Sequence, residues 1–123
     1  AELAKAMKEI DKNYKEIKAI SGYTTFGEKD WNIIHESSKE LIKHTKKVIN
    51  EFPRPEDSKY QELNKTLLAE AEILLEVVHF KKEVGAVEDA QWQIRNIRHT
   101  CASCHKHLGL HIYPNLYPKE EKK

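Results

Sequence analysis

The sequence predicts an all-α protein, an antiparallel up-down-up-down four-helix bundle that forms a single domain over residues 1–123. Three observations lead to this prediction. Apolar residues recur at alternating steps of three and four in four separate segments. The four glycines and four prolines fall between or after those segments rather than inside them. Lys, Glu, Ala and Leu, which are strong helix formers, dominate the composition.

The first two helices are predicted over about 2–20 and 30–50. A heptad-like seam marks the first, and Gly22 follows it as a stop signal. The second continues the same rhythm until two prolines, Pro53 and Pro55, forbid further helix. The seam residues are Leu3, Met7, Ile10, Tyr14 and Ile17 in the first helix, and Trp31, Ile34, Ser38, Leu41, Thr45 and Val48 in the second.

The last two helices are predicted over about 58–84 and 87–108. Ser58 with Gln61 three residues later forms a capping-box pattern, and Gly85 is expected to end the third helix. Gly109 is expected to end the fourth, leaving a tail over 109–123. The stripes are Tyr60, Leu63, Leu67, Ala71, Leu74 and Val78, then Val87, Gln91, Ile94, Ile97, Cys101, Cys104 and Leu108. Both cysteines therefore face the core.

Composition excludes several classes of function. The formal net charge is only +1, so nothing favours nucleic-acid binding. No run of eighteen apolar residues is present, so no membrane span is predicted. The segment Ala1-Glu2-Leu3-Ala4 is interpreted as the start of an exported chain whose signal has been removed.

The only two cysteines stand in the sequence Cys101-Ala102-Ser103-Cys104-His105. This spacing is the attachment motif of c-type haem. Each thiol forms a thioether bond with one haem vinyl group, and the histidine that follows directly reaches the iron. We therefore predict one covalently attached haem c on Cys101 and Cys104, with His105 as an iron ligand.

Three other interpretations use the same residues. A thioredoxin-like redox pair would need a βαβ setting, which the sequence does not predict. A structural zinc ion needs four ligands, which Cys101, Cys104, His107 and His111 could supply. Alternatively, the two cysteines are simply small buried hydrophobes. The complete motif in an all-helical setting favours haem over these three.

The second iron ligand is sought on the first helix, which runs antiparallel to the fourth. Met7, the only methionine, lies on the inward seam at about the level of His105. A thioether sulfur is an established haem ligand, but a core methionine that fills a gap would show the same spacing. His44 is the runner-up. Other histidines are weaker: His35 and His79 lie at the opposite end, His99 lies off the stripe, and His107 and His111 lie too close to His105.

From about residue 3 to 108, the chain resembles the class II c-type cytochromes, the cytochrome c′ family. The resemblance rests on the haem motif near the end of the last helix and on Met7-Lys8-Glu9-Ile10 with Tyr14-Lys15-Glu16-Ile17. Phe52-Pro53 before the third helix is also similar. Two features depart from the family: Lys106-His107-Leu108-Gly109 replaces the usual aromatic and arginine, and the tail is longer.

In that family a Leu or Phe at the position of Met7 leaves the iron five-coordinate, high-spin and able to bind NO or CO. The resemblance with Met7 in place implies a six-coordinate, low-spin electron carrier in the bacterial periplasm. It also implies redox protein partners and pairing of two copies through the first two helices. The alternative is a five-coordinate or displaceable-ligand protein that binds NO or CO.

No catalytic residue is identified, since His44 is the only conceivable acid–base group near the haem, and an enzymatic role is not predicted. Four lysines surround the expected haem end, and they either steer an acidic redox partner or only solubilise the surface. They are Lys5, Lys8, Lys12 and Lys106.

Overall fold

Four α-helices make up the structure, a computed structural model that describes residues 2–108. They are α1 (Glu2–Ile20), α2 (Glu28–Glu51), α3 (Ser58–His79) and α4 (Ala86–Leu108). No β-strand occurs between residues 2 and 108. The predicted tail over 109–123 lies outside the described residues, and so does Gly109, the expected end of α4.

Each helix runs antiparallel to the next, because the connections over 21–27, 52–57 and 80–85 are short. Side-chain bonds join the ends that this arrangement brings together. The Lys81 Nζ donates to Glu28 Oε1 at 2.7 Å at one end of the bundle, and His107 meets Asp57 at the other. The predicted all-α, up-down-up-down four-helix bundle is confirmed.

The start of α2 is fixed by two local interactions. The Gly27 N–H donates to Asp30 Oδ2 at 2.9 Å, which satisfies a backbone donor at the helix N-terminus. Phe26 packs edge-on against Trp31, with 5.1 Å between ring centroids. This contact across the first turn is a hydrophobic staple. As a result α2 begins at Glu28, slightly before the predicted residue 30.

The N-terminal cap of α3 is Asp57, so the predicted capping box of Ser58 with Gln61 is wrong. The Asp57 Oδ1 accepts the Tyr60 N–H at 3.0 Å, and a carboxylate at this position is a good acceptor for the exposed amides of a helix start. Gln61 instead donates to the carbonyl oxygens of Pro53 and Arg54, at 3.3 and 3.0 Å. The side chains of Asp57 and Gln61 thus link the proline turn to the first turn of α3.

The C-terminal end of α3 lies at His79, five residues before the predicted end at 84. The apolar stripe stops at Val78, and beyond it Phe80 and Val84 are exposed, so no buried contact holds another turn. A chain of turns follows instead, with the Phe80 N–H donating to Val77 O at 3.0 Å. Gly85, expected to end α3, adopts φ +87° and directs the chain into α4.

The core consists of the four predicted stripes, whose members are buried or half-buried throughout. It also takes in polar side chains on the stripe of α2, where Ser38 and Thr45 are fully buried. Of the four neighbouring helix pairs, α1 and α4 approach each other least closely. None of the described helices combines the length and the apolar character that crossing a membrane requires.

Candidate functional site

The Cys-x-x-Cys-His motif occupies the last two turns of α4. Its two cysteines are three residues apart, which places them on the same face of the helix, and His105 follows at the next position. All three side chains point inward, with Cys101 5%, Cys104 6% and His105 3% exposed. The structure therefore gathers two sulfurs and an imidazole at one end of the core.

The two sulfurs are thiols that are not joined by a disulfide. Burial raises the pKa of the Cys101 thiol well above its usual range, and the nearby Asp11 and Glu70 carboxylates raise it further. Burial also raises the pKa of Cys104 to about 11. Both groups are therefore protonated at neutral pH. A thioredoxin-like pair needs an accessible thiolate of lowered pKa, so these cysteines do not fit that chemistry.

The imidazole of His105 is neutral at physiological pH, because burial lowers its pKa to about 4. Neutral imidazole is the form that binds metal ions. The side chain thus has the protonation state that an axial haem ligand needs.

Two contacts from α3 hold this end of α4 in place, and neither was predicted from the sequence. The Thr100 Oγ1 donates to Glu70 Oε1 at 2.7 Å, directly before Cys101. The His107 Nε2 lies 2.8 Å from Asp57 Oδ1, just after His105. The partners are thirty and fifty residues apart in sequence, so no local pattern signals them.

The zinc interpretation gains nothing from this geometry. His107, one of the four ligands it needs, directs its ring nitrogen at Asp57. His111, another, lies outside the described residues. Within residues 2–108, no group of three or more His, Cys, Asp or Glu side chains converges to hold a metal ion.

Met7 lies at about the level of His105 when residues are counted along the two helices from the bond between Gln91 and the turn after α1. The Gln91 Nε2 donates to Ser21 O at 2.8 Å, which sets the antiparallel register of the two helices. Met7 stands fourteen residues before Ser21, and His105 stands fourteen residues after Gln91. Met7 is 3% exposed and belongs to the core.

The remaining histidines lie elsewhere. His35 and His79 stack near each other, with 6.4 Å between ring centroids, and His79 ends α3. Because Asp57, the N-terminal cap of α3, lies beside His107, this pair lies at the opposite end of the bundle, as predicted. His44, the runner-up ligand, is half-buried, and its Nε2 lies 3.4 Å from Glu40 Oε1 on its own helix.

These donors fit a c-type haem in their chemistry. Thioether formation needs two thiols on one helix face, and Cys101 and Cys104 supply them. Axial ligation needs a neutral imidazole and a second soft donor, and His105 and Met7 are buried at one level of facing helices.

Comparisons of the chain with protein-family models, with curated protein sequences and with solved structures find no match. The resemblance to the class II c-type cytochromes therefore rests on the sequence motifs given above.

Proposed function

We propose that this protein is a periplasmic monohaem c-type cytochrome that transfers electrons, with His105 and Met7 as axial ligands of a low-spin iron. One observation carries the proposal: two thiols and an imidazole are buried together on the last turns of α4, and Met7 is buried on the neighbouring helix α1. When bound, the haem supplies a one-electron ferric–ferrous couple.

Each residue has a distinct part in this function. Cys101 and Cys104 tether the haem to a rigid helix, while His105 ligates the iron from the same helix. Met7 offers a thioether sulfur from α1, and a methionine–histidine pair raises the reduction potential. The bond of Thr100 to Glu70 and that of His107 to Asp57 restrain the segment that carries these residues, and a functional site needs its side chains held in place in this way.

The attachment is tested by producing the chain in a bacterial periplasm with a cytochrome c maturation system. We expect a mass increase of one haem that survives acid–acetone extraction. Cys101→Ala and Cys104→Ala each remove one thioether, and the double variant carries no covalent haem. A wild-type chain that stays haem-free under conditions in which a control cytochrome matures would overturn the proposal.

The second ligand is tested on the haem-loaded protein by absorption spectroscopy. We expect a low-spin ferric spectrum with a methionine–iron charge-transfer band, lost in Met7→Leu, which removes the sulfur but keeps the apolar volume. His44→Gln is the matched control and leaves the spectrum unchanged. A high-spin spectrum that changes readily on addition of CO or NO would instead support the gas-binding alternative.

Redox protein partners follow from this function. Lys5, Lys8, Lys12 and Lys106 are exposed on the haem end of α1 and α4, where they can meet an acidic partner. We expect rates of reduction by such a partner to fall as ionic strength rises. A rate that does not change with salt leaves these lysines a purely solubilising role.

Pairing of two copies is expected through α1 and α2. An open groove of about 690 Å³ lies between these helices, and its lining includes Ala19, Ile20 and Ile33. Light scattering should show a dimer that Ile33→Lys converts to a monomer. Ile73→Lys, at an exposed position on α3, is the matched control.

A further inference from the structure

A second candidate site lies between α1 and α4, toward the turn that follows α1. A cleft of about 360 Å³ opens there, within the range of small-molecule sites. Its floor is built by the turn after α1, where the Gln91 Nε2 donates to Ser21 O at 2.8 Å and to Tyr23 O at 2.9 Å. These bonds fix the lower end of the cleft.

Positive charge dominates the lining of the cleft. Lys18 comes from α1, and Arg95 and Arg98, three residues apart, come from the facing side of α4. No acidic residue lines it. Among the described residues, none of the three cations has an acidic partner within 4 Å.

A hydrogen-bond donor stands among these charges. Tyr14 lines the cleft although it is only 3% exposed. Burial raises its pKa to about 12, so the hydroxyl keeps its proton at neutral pH. Asp11 is near both Tyr14 and Lys18, but its carboxylate forms its ion pair with Lys15, at 3.1 Å.

We propose that this cleft binds a small free oxyanion through Lys18, Arg95, Arg98 and the hydroxyl of Tyr14. Three cations without acidic partners and one protonated hydroxyl form a donor set that oxyanions satisfy with charge-assisted hydrogen bonds. Arginine suits the role because its planar guanidinium can donate two parallel bonds. The ring of Trp92, 5.9 Å from the Arg95 guanidinium, helps to hold that side chain at the rim.

The cleft extends from the turn after α1 toward the haem motif, and its upper residue, Arg98, lies three residues before Cys101. Arg95 lies six residues before Cys101, and Gln91 ten residues before it, so the floor is about 15 Å along the helix from the first cysteine. An anion in the cleft would bridge α1 and α4 where direct contact between them is sparse.

Inorganic phosphate is the probe, titrated by calorimetry into the protein as purified, at low ionic strength. We expect one phosphate per chain, and we expect Lys18→Gln and Arg98→Gln each to weaken binding about fivefold. Tyr14→Phe should also weaken it, because it removes a directed donor without changing charge. Lys46→Gln, at an exposed position on α2, makes the same charge change outside the cleft and should alter the affinity less than about twofold.

Two results would overturn the proposal. The first is the absence of saturable binding, or an equal loss for Lys46→Gln and Arg98→Gln, which would reduce the effect to general surface charge. The second concerns the carboxylates of the haem itself. If phosphate does not bind while Arg98→Gln, but not Lys46→Gln, shifts the reduction potential of the haem-loaded protein, the cations serve the haem and not a free anion.

Discussion

The imidazole of His107 bridges both carboxylate oxygens of Asp57, with Nε2 at 2.8 Å from Oδ1 and 2.9 Å from Oδ2. Asp57 also caps α3 by accepting the Tyr60 N–H. One carboxylate therefore joins the start of α3 to the end of α4, two residues beyond His105. The backbone bond from Tyr60 and the contact with His107 lower the pKa of Asp57.

Replacing Asp57 should separate its two functions. Asp57→Asn keeps an oxygen that can cap the helix but removes the charge, while Asp57→Ala removes both. We expect the urea midpoint to fall in the order wild type, Asn, Ala, and His107→Gln to resemble the Asn variant. Equal midpoints for Asn and Ala would show that Asp57 does not act as a cap.

Tyr60 and Tyr14 provide a matched pair of tyrosine-to-phenylalanine changes. The buried Tyr60 hydroxyl donates to Phe52 O at 2.6 Å and anchors the turn that contains Pro53. Tyr60→Phe leaves that carbonyl without its donor, and we expect a loss of about 1–2 kcal/mol in the free energy of unfolding.

Tyr14→Phe is the control, because its hydroxyl opens into the cleft between α1 and α4. In buffer without oxyanions we expect this change to cost less than about 0.5 kcal/mol. Urea unfolding of both variants measures the difference. Comparable losses would mean that the Tyr60–Phe52 bond is not the source of the effect.

The fold could be predicted from the sequence because the burial of the apolar stripes decides it. Each stripe follows a helical period, and only a bundle can bury four such stripes at once. The same reasoning placed Cys101, Cys104 and Met7 in the core, where the structure has them. The position of Met7 along the bundle axis could also be predicted, because α1 and α4 are antiparallel and the connections between the helices are short.

Helix ends and long-range polar contacts could not be predicted in the same way. The cap of α3 depended on competition between adjacent side chains, Asp57 and Ser58, and both are good caps. Helix α3 ends at His79 because the residues directly beyond Val78 have no buried contacts, and this depends on the tertiary structure rather than on a local pattern. The bond between Glu70 and Thr100 joins two helices across thirty residues, and no periodicity signals it.

The half-buried Glu70 should make stability depend on pH. Burial raises its pKa above the ordinary value of 4.5, and the Thr100 hydroxyl and the nearby His99 oppose that rise only in part. A carboxyl with a raised folded-state pKa contributes its full stability below the ordinary pKa. That contribution is lost as pH rises through the folded-state value.

Glu70→Gln keeps an oxygen for Thr100 but cannot ionise. We therefore expect this variant to match the wild type near pH 4 and to exceed it at neutral pH, by less than about 1 kcal/mol. Thermal unfolding across this range measures the difference. Glu72→Gln, exposed on the same helix, is the control. A profile that shifts equally in both variants would show that the burial of Glu70 is not the cause.

Gly85 and Gly22 lie in the two turns at the end of the bundle opposite His107. Replacing them tests whether glycine is required there because of its backbone conformation or whether any residue that fits the open space is accepted. Neither glycine has an atom within 4 Å of an added Cβ, but only Gly85 has a left-handed φ, at +87°. Gly85→Ala should therefore cost about 1 kcal/mol in the free energy of unfolding. Gly22→Ala should be neutral or slightly stabilising, because it restricts the unfolded chain without strain. Urea unfolding measures both variants.

A neutral Gly85→Ala would contradict this expectation, because it would mean that the turn into α4 tolerates another backbone conformation. The apolar stripe of α3 stops at Val78 and the helix ends at His79. In that case the loss of buried contacts beyond Val78 would be the sole reason that α3 ends there.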